Sequence, residues 1–124
     1  MKSLSIIFLI ALLSVVTQSI LEMDNCRKTA IGTADNWINY TGSANGIYID
    51  VDLSEYGFKE TPQVMTSLTC KTQCWTVTGV NSIYKLTNKG FRVYVYNVIG
   101  AWSPAQAKEK NWVLHYTARS MDDE

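Results

Sequence analysis

Residues 46–53 of this 124-residue chain read GIYIDVDL, and they decide the fold class. Apolar Ile47, Ile49, Val51 and Leu53 alternate with residues that are polar or amphipathic. A period of two over eight residues is typical of a β-strand with one face in a core and the other toward solvent. The segment therefore predicts a half-buried strand.

The same alternation recurs further along the chain. Residues 91–98 place Phe91, Val93 and Val95 on one face, and residues 111–118 alternate in the same way. Residues 62–69 carry apolar side chains without helical spacing, and residues 74–78 and 80–86 are short runs rich in β-branched and aromatic residues, which favour strands.

Two connections complete the fold prediction. Residues 87–90, Thr-Asn-Lys-Gly, predict a tight turn, because Asn and Gly accept a positive φ. Residues 103–110, SPAQAKEK, start with an N-cap serine and a proline suited to the first helical position, which predicts one or two helical turns. We therefore expect an all-β fold, a six-stranded antiparallel β-sandwich with one short helical turn, preceded by a signal peptide.

The first twenty residues predict secretion. Lys2 precedes an apolar run at residues 6–16 that only Ser14 interrupts, and Thr17 and Ser19 are small residues at the positions a signal peptidase reads. The run is shorter than the roughly 20 residues that span a bilayer, so an uncleaved anchor is the less favoured alternative. We expect cleavage after Ser19 and an extracellular protein.

The chain is divided on this basis into four parts: a signal peptide (1–19), an N-terminal segment (20–33), a β-sandwich domain (34–119) and an acidic tail (120–124). Eleven basic and eleven acidic residues balance each other. Because this balance leaves no basic footprint, we expect no nucleic-acid partner and no membrane association after signal cleavage.

The three cysteines matter because a secreted protein enters an oxidising compartment, in which disulfides form. Cys70 and Cys74 lie close enough in sequence to form a disulfide within one connection, and Cys26 is a candidate for an intermolecular disulfide. A zinc site at the close pair is the alternative, and the chain's single histidine, His115, makes it a poor one.

At this point the order of residues resembles the H-type lectins over about residues 30–118. The segments that carry the resemblance are Trp37, Phe58, Thr61-Pro62-Gln63-Val64, Ser67-Leu68, Ser82-Ile83-Tyr84, Thr87-Asn88-Lys89-Gly90-Phe91 and Asn111-Trp112-Val113-Leu114. The resemblance implies a secreted six-stranded antiparallel β-sandwich that assembles as a trimer or larger oligomer and binds N-acetylgalactosamine.

The positions that contact sugar in that family differ here. Ser82 stands where the family has an arginine, and Val98 and Ile99 stand where it has a polar or aromatic pair. Asp35 matches the acidic residue that the family often carries in its first loop. The resemblance thus implies the scaffold more than the sugar specificity, since a fold alone does not supply a function.

No catalytic constellation can be assembled from the sequence. His115 lies within a predicted strand without an evident acid–base partner, so we expect a non-catalytic protein. Asp50 and Asp52 share a strand face and are interpreted as solvated. A Ca²⁺ site there is the alternative, although calcium usually takes six or more oxygens. No other cofactor is expected.

The aromatic residues favour carbohydrate binding, because a ring packs on the C–H face of a sugar. Trp37 and Trp112 fall where strands pack and are expected in the core, whereas Trp102 is interpreted as an exposed loop tryptophan and Trp75 follows the cysteine loop. The predicted ligand-binding residues are Asp35, Asn81, Ser82, Asn97 and Trp102.

Arg92, Tyr94, Tyr96 and Val98 form an outward stripe if Phe91 and its alternates face the core. Such a stripe predicts an interface for self-association. The alternatives are a reversed register or a neighbouring segment that covers the stripe.

Asn39-Tyr40-Thr41 is an N-glycosylation sequon, which predicts a surface position and a glycan on Asn39. Taken together, the sequence predicts a secreted, non-catalytic, lectin-like module that binds a carbohydrate or glycoprotein and forms homo-oligomers. The alternative is an extracellular structural or assembly protein that uses the same β-sandwich without binding sugar.

Overall fold

The structure is a computed structural model that describes residues 28–121. These residues form eight strands, one α-helix and one 3-10 turn. The elements are β1 (Thr29–Ala34), β2 (Ile38–Asn39), β3 (Gly46–Asp52), the 3-10 turn (Ser54–Tyr56), β4 (Gln63–Thr69), β5 (Val77–Thr78), β6 (Ile83–Thr87), β7 (Gly90–Asn97), α1 (Pro104–Glu109) and β8 (Val113–Arg119).

The strands form two antiparallel sheets. One sheet has three strands in the order β1-β8-β4, and the other has the order β2-β3-β7-β5, with β6 also pairing with β7. Six strands have five residues or more, and β2 and β5 have two residues each. The prediction of an all-β sandwich with one short helix is confirmed.

The core lies between the inner faces of the two sheets. The five-stranded sheet contributes Ile47, Ile49, Val51, Phe91, Val93 and Val95, and the three-stranded sheet contributes Ala30, Leu114, Tyr116 and Ala118. Phe91 meets Tyr116 edge-to-face across the sandwich, with ring centroids 5.8 Å apart. Each fully buried aliphatic side chain stabilises the fold by about 1.5–3 kcal/mol. The predicted inward faces of β3 and β7 are confirmed.

Three tryptophans pack together in this core. The Trp37 Nε1–H donates to the Trp112 carbonyl at 2.9 Å, and the Trp102 ring stacks on Trp112 with centroids 4.6 Å apart. The expected core positions of Trp37 and Trp112 are confirmed.

The prediction of an exposed Trp102 is wrong, because its side chain is only 8% exposed. The Trp102 N–H donates to the Ala44 carbonyl at 3.0 Å, and the next residue, Ser103, is the N-cap of α1. These two constraints fix the loop while the indole stacks on Trp112.

The predicted helical turns are confirmed as α1. The Ser103 hydroxyl accepts from the Gln106 N–H at 3.2 Å, and Pro104 occupies the first helical turn. Ala107 is the residue that the helix buries against the core. The cap satisfies a helix N–H that would otherwise lack a partner.

Two predicted boundaries need correction. β1 spans Thr29–Ala34 and pairs with β8 along its length, so the folded domain includes residues 29–33 that the sequence placed in the N-terminal segment. The predicted strand at 74–78 is a strand only at β5, because the disulfide loop and the positive φ of Gln73 (67°) precede it.

Several predictions lie outside residues 28–121. They are the signal peptide, the intermolecular disulfide at Cys26 and most of the acidic tail. Within the described part of the chain, no helix is long and apolar enough to cross a membrane.

Candidate functional site

The outer face of the five-stranded sheet carries an aromatic cleft of about 470 Å³, which we call the tyrosine cleft. Its lining residues are Tyr40, Gly46, Ile47, Thr78, Gly79, Ser82, Tyr84, Tyr94, Val95 and Tyr96. Four tyrosines from three parts of the chain thus meet at one surface, since Tyr94 and Tyr96 both belong to β7.

Tyr94 on β7 is the centre of this aromatic cluster. Cross-strand pairing sets Tyr48 of β3 opposite Tyr94, with ring centroids 5.6 Å apart. Tyr40 and Tyr84 contact the same ring edge-to-face, at 5.3 and 5.0 Å. Aromatic pairs at these distances stabilise beyond their buried area, so the cluster holds its rings in place.

Arg92 anchors one end of the cluster. Its Nε and Nη2 donate to the two carboxylate oxygens of Asp50 at 2.6 and 2.9 Å, and Nη1 donates to the Tyr94 hydroxyl at 3.1 Å. The guanidinium carbon also lies 4.1 Å from the centroid of the Tyr48 ring. This combination of a bidentate ion pair and a cation–π contact fixes the orientation of both tyrosines.

The same contacts shift the pKa values of Asp50 and Arg92. The hydrogen bonds from Arg92 hold the pKa of Asp50 below its ordinary value, and the hydrogen bonds to Asp50 and Tyr94 raise the pKa of Arg92. Both groups therefore stay charged across the physiological range, and the pair presents no net charge to the cleft.

Two glycines shape the lining of the cleft. Gly46 pairs with Tyr96 across the strands, so no side chain of β3 covers the Tyr96 ring. Gly79 has a φ of 99°, and a Cβ there would lie 2.5 Å from the Tyr94 carbonyl oxygen. Only glycine fits that close approach at a positive φ.

Chemically, the cleft combines ring surfaces with hydroxyl groups. Tyr84 and Tyr96 are 51% and 44% exposed, so their rings are open to a ligand. The Ser82 and Thr78 hydroxyls lie in the same lining and can donate or accept hydrogen bonds. Aromatic faces bordered by hydroxyls suit a neutral ligand that has both C–H and O–H surfaces.

Part of the predicted ligand-binding set reaches this cleft. Ser82 lines it, and Asn81 lies at the apex of the turn that the Ser82 N–H closes on the Gly79 carbonyl, at 3.0 Å. Both residues are exposed.

Asp35 belongs to a different cleft, of about 430 Å³, between the β1–β2 connection and α1. That cleft is lined by Asp35, Asn36, Trp37, Pro104, Ala105, Lys108, Asn111 and Trp112. The structure therefore does not bring Asp35 and Ser82 into one site.

Asn97 is buried, contrary to its predicted place in a ligand-binding loop. Its side-chain oxygen accepts from the Thr76 hydroxyl at 2.9 Å, and its carbonyl accepts from Asn45 Nδ2 at 3.0 Å. Asn97 is the last residue of β7, and these two hydrogen bonds link the segments of Thr76 and Asn45 to that strand. Its role is therefore structural.

The predicted stripe lies on the outer face as expected, and neighbouring segments cover part of it. Arg92 and Tyr94 are half-buried beneath the contacts of the aromatic cluster, whereas Tyr96 and Val98 are exposed. Its use as an oligomer interface stays a prediction.

The disulfide between Cys70 and Cys74 is confirmed. Asp50 and Asp52 do not converge on a common ligand, since Asp50 pairs with Arg92 and Asp52 accepts from the Ser54 hydroxyl at 2.6 Å. Among residues 28–121, no group of three His, Cys, Asp or Glu side chains is placed to hold a metal ion. Asn39, the predicted glycosylation site, is exposed in β2.

Sequence reasoning missed Tyr40, Tyr48 and Tyr84 as members of the site. Tyr48 had a usable signal, since it alternates with the buried isoleucines of β3 and so had to face outward. Tyr40 and Tyr84 carried none, because their place beside Tyr94 depends on which strands become neighbours in the sheet.

No protein-family model matches this chain, and no curated protein matches it. Among solved structures, the chain is similar to the tailspike gp61 of Pseudomonas phage phi297, with a TM-score of 0.48 and 12% sequence identity. The similarity covers 79% of this chain and 16% of the tailspike chain, so this chain spans a small part of that protein's length. A likeness at this level carries no argument about function, and the resemblance to H-type lectins stays a prediction.

Proposed function

We propose that the protein is an extracellular, non-catalytic binding module whose tyrosine cleft holds a carbohydrate. The observation that supports this most is the convergence of Tyr40, Tyr84, Tyr94 and Tyr96 around one open cleft that also contains the Ser82 hydroxyl. Tyrosine suits this task because its ring packs on sugar C–H groups while its hydroxyl bonds to sugar hydroxyls.

The fixed geometry of the cluster supports the same proposal. The Tyr94 ring is held by ring contacts on three sides and by the hydrogen bond from Arg92. A preorganised site loses little conformational entropy when a ligand binds. Weak binding at one cleft would be strengthened by avidity if the protein forms oligomers.

The electrostatics favour a neutral saccharide. Asp50 and Arg92 neutralise each other, and the lining residues of the cleft include no charged side chain. A neutral, hydroxyl-rich ligand fits such a lining better than a phosphorylated or sulfated one.

A glycan array with the mature protein tests the proposal. We expect binding to neutral glycans, and we expect Tyr84→Ala and Tyr96→Ala each to weaken it by about tenfold, since each removes an exposed ring. Trp75→Ala is the matched control, because Trp75 is an exposed aromatic residue that does not line the cleft. Binding to no glycan, or full binding by both tyrosine variants, would contradict the proposal.

Assembly without sugar binding is the second candidate, favoured by the outer face of the three-stranded sheet. Ile31 and Met65 flank Thr117 of β8 from either side and are 75% and 69% exposed. Large apolar side chains on an open sheet face are typical of an interface. In light scattering, this candidate predicts an oligomer that Ile31→Ser with Met65→Ser converts to a monomer, and an unchanged size would remove it.

A further inference from the structure

A second exposed apolar surface lies beside the disulfide loop. It consists of Trp75, Val98 and Ile99, whose exposed fractions are 86%, 59% and 72%, and we call it the apolar tip. Exposed apolar residues that adjoin one another mark interaction surfaces, since water solvates them poorly. None of the three lines the tyrosine cleft.

Main-chain pairing brings the two segments of the apolar tip together. β5 pairs with β7 in antiparallel register as far as Asn97, and one step further the Val98 N–H donates to the Thr76 carbonyl at 3.0 Å. Trp75 and Ile99 occupy the next positions along these two segments. The three residues of the tip therefore lie on two segments that run side by side at this end of the sheet.

The base of the tip is covalently and conformationally fixed. The Cys70–Cys74 disulfide ends directly before Trp75. The buried Trp112 donates from Nε1 to the Thr72 carbonyl at 3.3 Å, which ties the disulfide loop to the core. A rigid loop that presents a large aromatic side chain loses little entropy when that side chain enters a partner surface.

The segments around the tip carry positive charge. The Lys71 N–H donates to the Lys110 carbonyl at 2.8 Å, so the disulfide loop and the end of α1 are neighbours. Residues 70–76 and 104–110 contain Lys71, Lys108 and Lys110 against Glu109, and Lys108 shares a cleft with Asp35, so three positive charges face two negative ones and the net charge of this region is +1. The balanced charge of the whole chain conceals this local excess.

We propose that the apolar tip docks on the interfacial layer of an anionic lipid surface. Tryptophan prefers the headgroup level of a bilayer, and the aliphatic side chains of Val98 and Ile99 suit the adjacent acyl boundary. The lysines complement lipid phosphate and carboxylate groups, since basic clusters are attracted to anionic leaflets. The proposal replaces the expectation, drawn from total charge, that the mature protein does not contact membranes, and it does not depend on sugar binding.

Vesicle binding followed by tryptophan fluorescence tests the proposal on the mature chain. Trp37, Trp102 and Trp112 are buried, so a change in emission reports mainly on Trp75. With vesicles of phosphatidylcholine and phosphatidylserine, we expect a blue shift and co-sedimentation, both weaker with phosphatidylcholine alone. We expect Trp75→Ser with Ile99→Ser to lower partitioning by about tenfold or more, because two large apolar side chains are lost.

Met121→Ser is the matched control, because Met121 is a 62% exposed apolar residue that follows β8, on the other sheet, and lies in none of the proposed binding or assembly surfaces. It should leave vesicle binding unchanged. Because the vesicles contain no carbohydrate, the result is independent of the tyrosine cleft. The proposal is overturned if the wild-type protein does not sediment with anionic vesicles or if the double tip variant binds them equally well. It is also overturned if light scattering shows a dimer that the double tip variant abolishes, since a second copy then covers the tip.

Discussion

Arg92 lies with its guanidinium carbon 4.1 Å from the centroid of the Tyr48 ring while it donates two hydrogen bonds to Asp50. Arg92 and Asp50 are directly opposite residues of β7 and β3, so the contact is built into the register of the sheet. A slip of one residue would turn these side chains into the core. The alternation that forms the core therefore also forms the tyrosine cleft.

The ion pair between Arg92 and Asp50 predicts that the protein loses stability in acid. The pKa of Asp50 is lowered from 3.8 by the hydrogen bonds of Arg92, so the pair stabilises the fold above the ordinary pKa. This stabilisation is lost as the pH falls through the lowered pKa. We expect the urea midpoint of Asp50→Asn to lie below that of the wild type at neutral pH, and the difference to shrink at about pH 3. A difference that is constant with pH would contradict the assignment.

Replacement by alanine should lower the stability of the protein strongly at Trp102 and hardly at all at Trp75. Trp102→Ala removes a buried ring that stacks on Trp112, and we expect it to lower the free energy of unfolding by about 3–5 kcal/mol. Trp75→Ala removes a ring that is almost fully in solvent, and we expect a change within about 0.5 kcal/mol. Urea unfolding of both variants measures the contrast, and equal losses would contradict the placement of Trp102 in the core.

Tyr116 predicts a loss of stability at alkaline pH. Burial, with help from the neighbouring Tyr56 hydroxyl, raises the pKa of Tyr116 from 10.0 to about 12. Its stabilising contribution is complete below pH 10, the unfolded value, and is lost as the pH rises through the folded value. In urea unfolding at about pH 8 and about pH 11, the wild type should lose more stability than Tyr116→Phe. Equal losses in the two proteins would contradict this.

The disulfide predicts a modest stabilisation. Cys70 and Cys74 are four residues apart, and closing so short a loop in the unfolded chain contributes about 2 kcal/mol. Cys70→Ser with Cys74→Ser should therefore still fold, with a free energy of unfolding, measured by urea titration, that is lower by about that amount. Loss of folding altogether would show that the loop does more than restrict the unfolded chain.

The pairing also leaves Cys26 as the third cysteine of the sequence. The predicted intermolecular bond should give a covalent dimer on a non-reducing gel, and Cys26→Ser should remove it. A wild-type protein that runs as a monomer on the same gel would rule the bond out.

The sandwich could be predicted from the sequence because the alternation of apolar and polar residues within a strand shows which of its side chains face the core. Ile47, Ile49, Phe91 and Val93 alternate with polar or amphipathic neighbours, and their inward faces followed directly. β1 escaped prediction because its sequence, TAIGTA, exposes Ile31 and buries the small Ala30, so its pattern of hydrophobicity is the reverse of a normal strand.

The candidate site could be predicted only in part, because it depends on contacts between distant segments. Ser82 and the Tyr94–Tyr96 stripe were identified from the sequence, but the packing of Tyr40 and Tyr84 on Tyr94 is set by sheet order. Trp102 was misplaced because a loop position was taken to mean exposure, whereas the adjacent helix cap fixes that loop against the core.

Carbohydrate binding in the tyrosine cleft is tested most directly by NMR, with the ring resonances followed while a glycan selected from the array is titrated into the protein. If the carbohydrate binds in the tyrosine cleft, the rings of Tyr84, Tyr94 and Tyr96 shift progressively on binding, and Trp37, which borders the Asp35 cleft, does not. Shifts confined to Trp37 and its neighbours, with the tyrosine rings unchanged, would contradict it.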